Sequence, residues 1–208
     1  MWSACIRLFF RLLYGPMAWT YDAVAWLVSL GQWVDWVQVA LRYVSVGPAL
    51  ELAHGPGHLQ EALARQGQWA VGLDLSPQMG RLARRRLRRA GLPPRLVRAR
   101  AQALPFRDGA FPTVVATFPT EFIIDPRTAR EVMRVLAPQG RVAVVASCRL
   151  LGRDPLSRFL EWLYRVTGQR APLPSVDASA WLQSGLALRG EWVPVGRSQV
   201  LVVLGERQ

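Results

Sequence analysis

The 208-residue chain carries a net charge of +12, and 51% of its residues are apolar without any low-complexity stretch, which excludes a disordered chain. All of the positive charge is arginine, and an excess of this size suggests an anionic partner or surface, either nucleic acid or lipid head groups. The uncharged stretch Ala23–Val34 is too short to span a bilayer, and residues 1–15 carry Arg7 and Arg11 with no small-residue cleavage site after them, so neither a membrane span nor a signal peptide is expected.

The first 47 residues differ in character from the rest. Trp19, Ala23, Trp26, Leu27, Leu30, Val34, Val37 and Leu41 recur at helical spacing, with Asp22, Ser29, Gln32 and Asp35 mostly on the other side. This predicts a helical cap, split in two at Gly31, that belongs to the same domain as residues 48–208. From residue 48 strand-like and helix-like pieces alternate. "PALELA" reads as a strand and "HLQEALARQG" as a helix ended by Gly67. "WAVGLDLS" is a second strand, and "PQMGRLARRRLRRAG" a helix that starts near Ser76-Pro77 and ends at Gly91. "RLVRAR" and "PTVVATF" are further strands, "DPRTAREVMRVLAPQG" a helix, and "RVAVVASC" a fifth strand. "DPLSRFLEWLYRVTG" and "ASAWLQSG" read as helices, and "GEWVPVGRSQVLVVLGER" as a hairpin closed by a Gly-Arg turn. The expectation is an α/β fold: a parallel sheet finished by an antiparallel hairpin.

Chemistry concentrates at "ALELAHGPGHLQEALA". A strand ending in Gly-x-Gly and feeding a helix lets a ligand approach the backbone and aims free N–H groups at it. Asp74 ends the next strand, where a carboxylate can take a ribose hydroxyl pair. Turn, helix and acid in that order specify an adenosine-type site. Dinucleotide folds prefer a third glycine where this chain has Gln60, and Glu51 is a poor neighbour for a pyrophosphate; a cationic ligand tail suits it better. His54 and His58 are separated by Gly55-Pro56-Gly57, which prevents the helical register of a metal pair, and no metal is expected. Cys5 and Cys148 stand alone, and Cys148 reads as a buried thiol.

These residues carry a family resemblance. "ALELAHGPGHL" resembles the first motif of class I S-adenosylmethionine (SAM)-dependent methyltransferases, "VGLDLSPQM" their second, "RARAQALPFRDGAF" their third, and "EVMRVLAPQGRVAVV" the helix-turn-strand that follows. Within that class the chain is most similar to the type 11 group, which includes ubiquinone and menaquinone biosynthesis methyltransferases. The resemblance spans residues 48–147 and implies a Rossmann-like, doubly wound, seven-stranded sheet that the terminal hairpin completes.

It also implies a cofactor, SAM, and residues to hold it. Glu51 would lie near the amino group, through water or backbone. Gly55 and Gly57 would let the methionine part rest on the turn, with Ala53 where the family has glycine. Asp74 would take the ribose hydroxyls, Leu75 and Met79 would face the adenine, and the backbone of Ala101, with Gln102 beside it, would meet the adenine edge. Phe118 would line the site after strand four, and Tyr21 would help to close it. His54 would either cover the sulfonium side or point outward. Arg100 stands where the family has an aspartate that accepts from the adenine amino group, and Pro112 replaces another aspartate.

No residue declares itself as a catalyst. "TFPTEFIID" supplies Phe118, Pro119, Thr120, Glu121 and Phe122 as acceptor-side lining, with Glu121 read as an exposed loop acid. The expected activity is methyl transfer to oxygen or carbon of a small, apolar, quinone-like or lipid-like acceptor. The expected location is cytoplasmic and peripheral to an anionic membrane, and nucleic acid is not the expected partner. Two other readings stay open: a non-catalytic scaffold of the same fold, associated with membrane or RNA, and an NAD-dependent oxidoreductase. The arginines of "RLARRRLRRAG" fall on the outer face of their helix, where they are solvated or bind phosphate.

Overall fold

A computed structural model of the chain describes residues 17, 20–152, 155–166, 181, 183 and 185–207. Trp19, Cys5 and most of the short helix expected over residues 178–185 lie outside the described residues. The elements, in order, are α1 (Tyr21–Val28), α2 (Trp33–Gln38) running into a 3₁₀ turn (Val39–Tyr43), β1 (Ala49–Leu52), α3 (His58–Arg65), β2 (Ala70–Asp74) and α4 (Pro77–Arg89). There follow β3 (Leu96–Arg98), β4 (Phe111–Thr117), a 3₁₀ turn (Glu121–Ile124), α5 (Pro126–Val135), β5 (Leu136–Leu150), α6 (Pro155–Val166), β6 (Leu186–Val195) and β7 (Ser198–Arg207).

The seven strands form one sheet in the order β3-β2-β1-β4-β5-β7-β6. β1 to β5 are mutually parallel, while β7 runs antiparallel to both β5 and β6. This is the expected sheet with its terminal hairpin. β1, with all four residues buried, sits at the point where the strand order reverses, and ligands of open α/β sheets bind beyond the carboxyl ends of the strands there. One core cluster joins Trp36, Val37, Val39 and Ala40 of the cap to Ala49, Val115 and Val202 of the sheet; a second, containing Leu50, Val114 and Val132, fills the opposite face.

Three local departures have physical causes. β5 begins directly at Leu136, so the "LAPQG" expected to end the helix is strand, irregular at Gln139, whose φ is +58°. Pro112 lies inside β4, where the register against β5 shifts between Phe111 and Thr113; the irregularity accommodates the missing donor. Cys148 is half-buried rather than buried, because it packs at the margin of the core cluster that holds Val145 and Leu150.

The cap register is the larger correction. α1 and the α2 segment meet at 91°, and the break falls at Leu30 and Gly31, with φ of +53° and +81°. The expected stripe does not continue across it: Ala25 and Ser29 are buried, whereas Trp26 and Leu27 are each 64% exposed. Ser29 tolerates burial because its Oγ accepts from the Trp33 N–H at 3.0 Å, satisfying one free donor in the first turn of the second helix. Trp36 is buried with its Nε1 donating to Ser198 Oγ, 2.6 Å away, which ties the cap to the terminal hairpin. Among the described residues no single helix is long and apolar enough to cross a membrane.

Candidate cofactor site

The turn after β1 is built from alternating left-handed residues. Ala53, Gly55 and Gly57 have φ of +54°, +53° and +87°. The two glycines serve different needs. A methyl on Gly55 would meet nothing within 4 Å, so that position faces open space; a methyl on Gly57 would lie 2.8 Å from the Ala83 Cβ of α4. Gly57 is therefore a packing glycine, whereas the space in front of Gly55 is open. Ala53 occupies a glycine conformation with a side chain, at a cost of about 1 kcal/mol. Ala53→Gly is expected to change unfolding free energy by no more than about 1 kcal/mol, because relief of this strain is offset by the greater freedom of glycine in the unfolded chain; urea unfolding measures the balance.

Asp74 organises the turn. One carboxylate oxygen accepts from the Gly55 N–H at 2.9 Å and the other from the Ser76 N–H at 2.8 Å. Ser76 in turn caps α4, its Oγ accepting from the Met79 N–H at 3.2 Å. The half-exposed Asp74 carboxylate thus holds the ends of two loops and keeps further lone pairs for a ligand.

Beneath the turn lies a buried polar group of three side chains. Glu51 is 1% exposed and accepts from Gln60 Nε2 at 2.8 Å. Burial pushes the Glu51 carboxyl up to about 8; the charge of Asp74 adds to the rise and the Gln60 donor opposes it. His54 is 4% exposed, so it does not point outward as one reading had it. Its Nδ1 lies 2.7 Å from the Gly55 carbonyl, and burial holds its pKa below the usual value, which leaves a neutral ring donating to that carbonyl. Gly72 of β2 makes the room: a methyl there would come within 2.9 Å of Gln60 Cδ and 3.1 Å of His54 Cδ2. Gln60 thus replaces the third glycine of a dinucleotide turn with a side chain that fills the gap between helix and sheet.

The remaining expected residues divide in two. Leu75 is exposed beside Asp74, and Phe118, with φ of +45°, follows β4 on the same carboxyl edge of the sheet. Trp33 lies 4.8 Å from the Phe118 ring, and Tyr21 stands edge-on to Trp33 at 6.1 Å, so the cap supplies an aromatic stack over that edge. Met79, at 1% exposure, and Ala101 are buried in the free protein. Met79 is tied to the end of β2 through its backbone N–H, which donates to Ser76 Oγ at 3.2 Å. Gln102 reaches the α5 cap residue Asp125 at 3.3 Å, and Arg100 is exposed.

Three residues outside the expected cofactor set hold the cap down. Asp22 of α1 pairs with His58 at 2.9 Å and with Arg86 of α4, and Arg86 Nε donates to the Pro56 carbonyl of the glycine turn at 2.9 Å. The two histidines of the turn therefore diverge, His54 inward and His58 toward the cap.

The arrangement fits a nucleoside with a cationic tail: a half-exposed carboxylate at a strand end, an open glycine backbone, and an acid beneath. Comparison with known proteins agrees. Residues 49–140 match the methyltransferase domain family. The chain is 37% identical over 140 residues to a demethylmenaquinone methyltransferase of Thermus thermophilus, covering 64% of this chain and 63% of that protein. It is 30% identical over 179 residues to a demethylmenaquinone methyltransferase of Symbiobacterium thermophilum, covering 80% of this chain and 68% of that one. The matched region is thus under two thirds of the Thermus protein's length. Among solved structures, a geranyl diphosphate C-methyltransferase of Streptomyces coelicolor, in complex with S-adenosyl-L-homocysteine, superposes with a TM-score of 0.60 at 15% identity, over 84% of this chain and 79% of that one. Nothing in these relatives supports a non-catalytic scaffold.

Proposed function

The chain belongs to the class I SAM-dependent methyltransferases of the menaquinone-methyltransferase-like type, and from that premise we propose that residues 48–208, capped by residues 1–47, methylate a small quinone-like acceptor. The observation that carries the reading is Asp74, which holds the glycine turn with one oxygen and the start of α4 with the other, and keeps further lone pairs for a ribose.

Bound at this turn, SAM supplies an electrophilic methyl group. Asp74 would accept from the ribose hydroxyls, Leu75 would flank the base, and the backbone at Ala101 would serve its edge, since Arg100 offers no acceptor. Gly55 would admit the ligand to the backbone, and Glu51, once it has lost its proton, would provide negative charge for the amino group. Tyr21, Trp33 and Phe118 exclude water and present an aromatic wall against which a planar acceptor stacks. Glu121 is exposed, and no general base is placed on the site among the described residues. Catalysis then rests on alignment: holding an already nucleophilic carbon or oxygen in line with the methyl group. The quinone-like acceptor is supported by the names of the two relatives and by this aromatic wall.

Calorimetric titration with SAM and with S-adenosylhomocysteine tests the site. Micromolar binding is expected, weakened more than about tenfold by Asp74→Ala, which removes charge-assisted hydrogen bonds. Absence of binding at millimolar ligand overturns the enzyme reading. Retained binding without turnover of reduced naphthoquinones or phenols overturns only the acceptor.

A further inference from the structure

Helix α4 turns Met79, Ala83 and Leu87 inward and leaves Arg81, Arg84, Arg85, Arg88 and Arg89 exposed. Among the described residues none of these five arginines makes an ion pair. Beside them runs an open groove of about 470 Å³, between α3, α4 and the start of α1, lined by Arg65, Arg85, Arg86 and Arg89 with Asp22 and Glu61. Both acids are already paired with arginine: Glu61 with Arg65 at 2.7 Å, and Asp22 with Arg86 at 2.5 Å. The groove therefore keeps an uncompensated charge at Arg85 and Arg89.

The adjoining surface is apolar. Trp26 follows Asp22 by four residues, on the same side of α1 and about one turn along, and both Trp26 and its neighbour Leu27 are 64% exposed. Cap and groove are fixed to one another, because Asp22 reaches from α1 to Arg86 in α4. Two large apolar side chains next to an arginine groove match the layering of a bilayer surface. Indole and leucine enter the interfacial layer while guanidinium groups meet phosphate. A single-stranded nucleic acid would use the arginines and could stack on Trp26, but Leu27 has no ring face to offer a base.

We propose that this face, Arg85, Arg89, Trp26 and Leu27, docks the protein onto a bilayer of anionic lipid. The proposal stands on this surface alone and does not depend on the identity of the methyl acceptor. Docking here would bring the cap, whose Tyr21 and Trp33 stack above the candidate site, against the membrane.

The test is co-flotation of the full chain with vesicles of phosphatidylcholine alone or with 30 mol% (about one lipid in three) phosphatidylglycerol, at about 0.1 M salt. Binding is expected to the anionic vesicles and not to the neutral ones. An Arg85→Glu/Arg89→Glu double variant and a Trp26→Ser/Leu27→Ser double variant are each expected to bind at least about tenfold more weakly. Thermal unfolding and SAM titration should match the parent, which separates docking from folding and from the cofactor site. Equal binding to both vesicle types, or unaltered binding by the arginine variant, overturns the proposal. So does tighter binding to single-stranded RNA than to vesicles, lost in the arginine variant and kept in the Trp26/Leu27 variant, which would make the face a nucleic-acid surface.

Discussion

Gly57→Ala is expected to lower the free energy of unfolding by about 2–4 kcal/mol, whereas Gly55→Ala, two residues earlier in the same turn, should lower it by only about 1 kcal/mol. Both positions have positive φ, so each alanine meets the same left-handed penalty. The difference is what stands in front of them. At Gly57 the new methyl would lie 2.8 Å from Ala83 Cβ and 3.0 Å from Ala83 Cα, and the second of these is helix backbone that yields only if α4 shifts. At Gly55 nothing lies within 4 Å. The order should invert for ligand affinity per unit of stability lost, because the methyl on Gly55 would occupy the space where the cofactor is proposed to approach. Chemical denaturation of both variants, with SAM titration of each, separates the two roles. Equal losses of stability would show that Gly57 does not pack against α4.

Much of this architecture is written locally in the sequence. Strands such as "PALELA" and "RVAVVASC" are apolar runs punctuated by glycine and charge, and the helices between them carry one apolar face each. Asp74 and Gly55 were legible because a strand end and a glycine turn are local features, and the sheet order brings them to 2.9 Å. What escaped was set by partners far along the chain. The split of the cap at Gly31 is legible in the sequence, but the buried face of α1 is not: Ala25 and Ser29 face inward, whereas Trp26 and Leu27 of the apolar stripe turn outward. Gln60 looked like the absence of a glycine, while the space it fills is created by Gly72 on the neighbouring strand. The Asp22–Arg86 pair joins residues 64 positions apart, and neither residue is unusual by itself.

Glu51 should make the stability of the free protein fall as pH rises from about 5 to about 8, by up to about 4 kcal/mol, and Glu51→Gln should remove that slope. The carboxyl is 1% exposed, and its pKa moves from 4.5 in an open chain to about 8 in the fold. Between those values the folded protein keeps a proton that the unfolded chain releases. Its contribution is therefore complete below about pH 4.5 and is lost as pH climbs through 8. His54 works against this slope: burial holds its pKa below the 6.5 of an open chain, so the unfolded chain takes up a proton there that the folded ring does not, and its contribution to stability grows as pH rises toward 6.5 in parent and variant alike. Glutamine keeps a hydrogen-bonding partner for Gln60 without a charge to bury, so above pH 8 the variant should be the more stable protein. Cofactor binding should run the other way. A cationic amino group above Glu51 favours the carboxylate, so binding must expel the proton, and the affinity of the parent should rise by up to tenfold per pH unit below 8, at most about one proton per site. Calorimetry in two buffers of different ionisation enthalpy counts that proton directly. If parent and Glu51→Gln release equal numbers of protons, and their stabilities run parallel with pH, then Glu51 is already ionised beneath the turn. Its buried charge would then have to be balanced by groups other than Gln60.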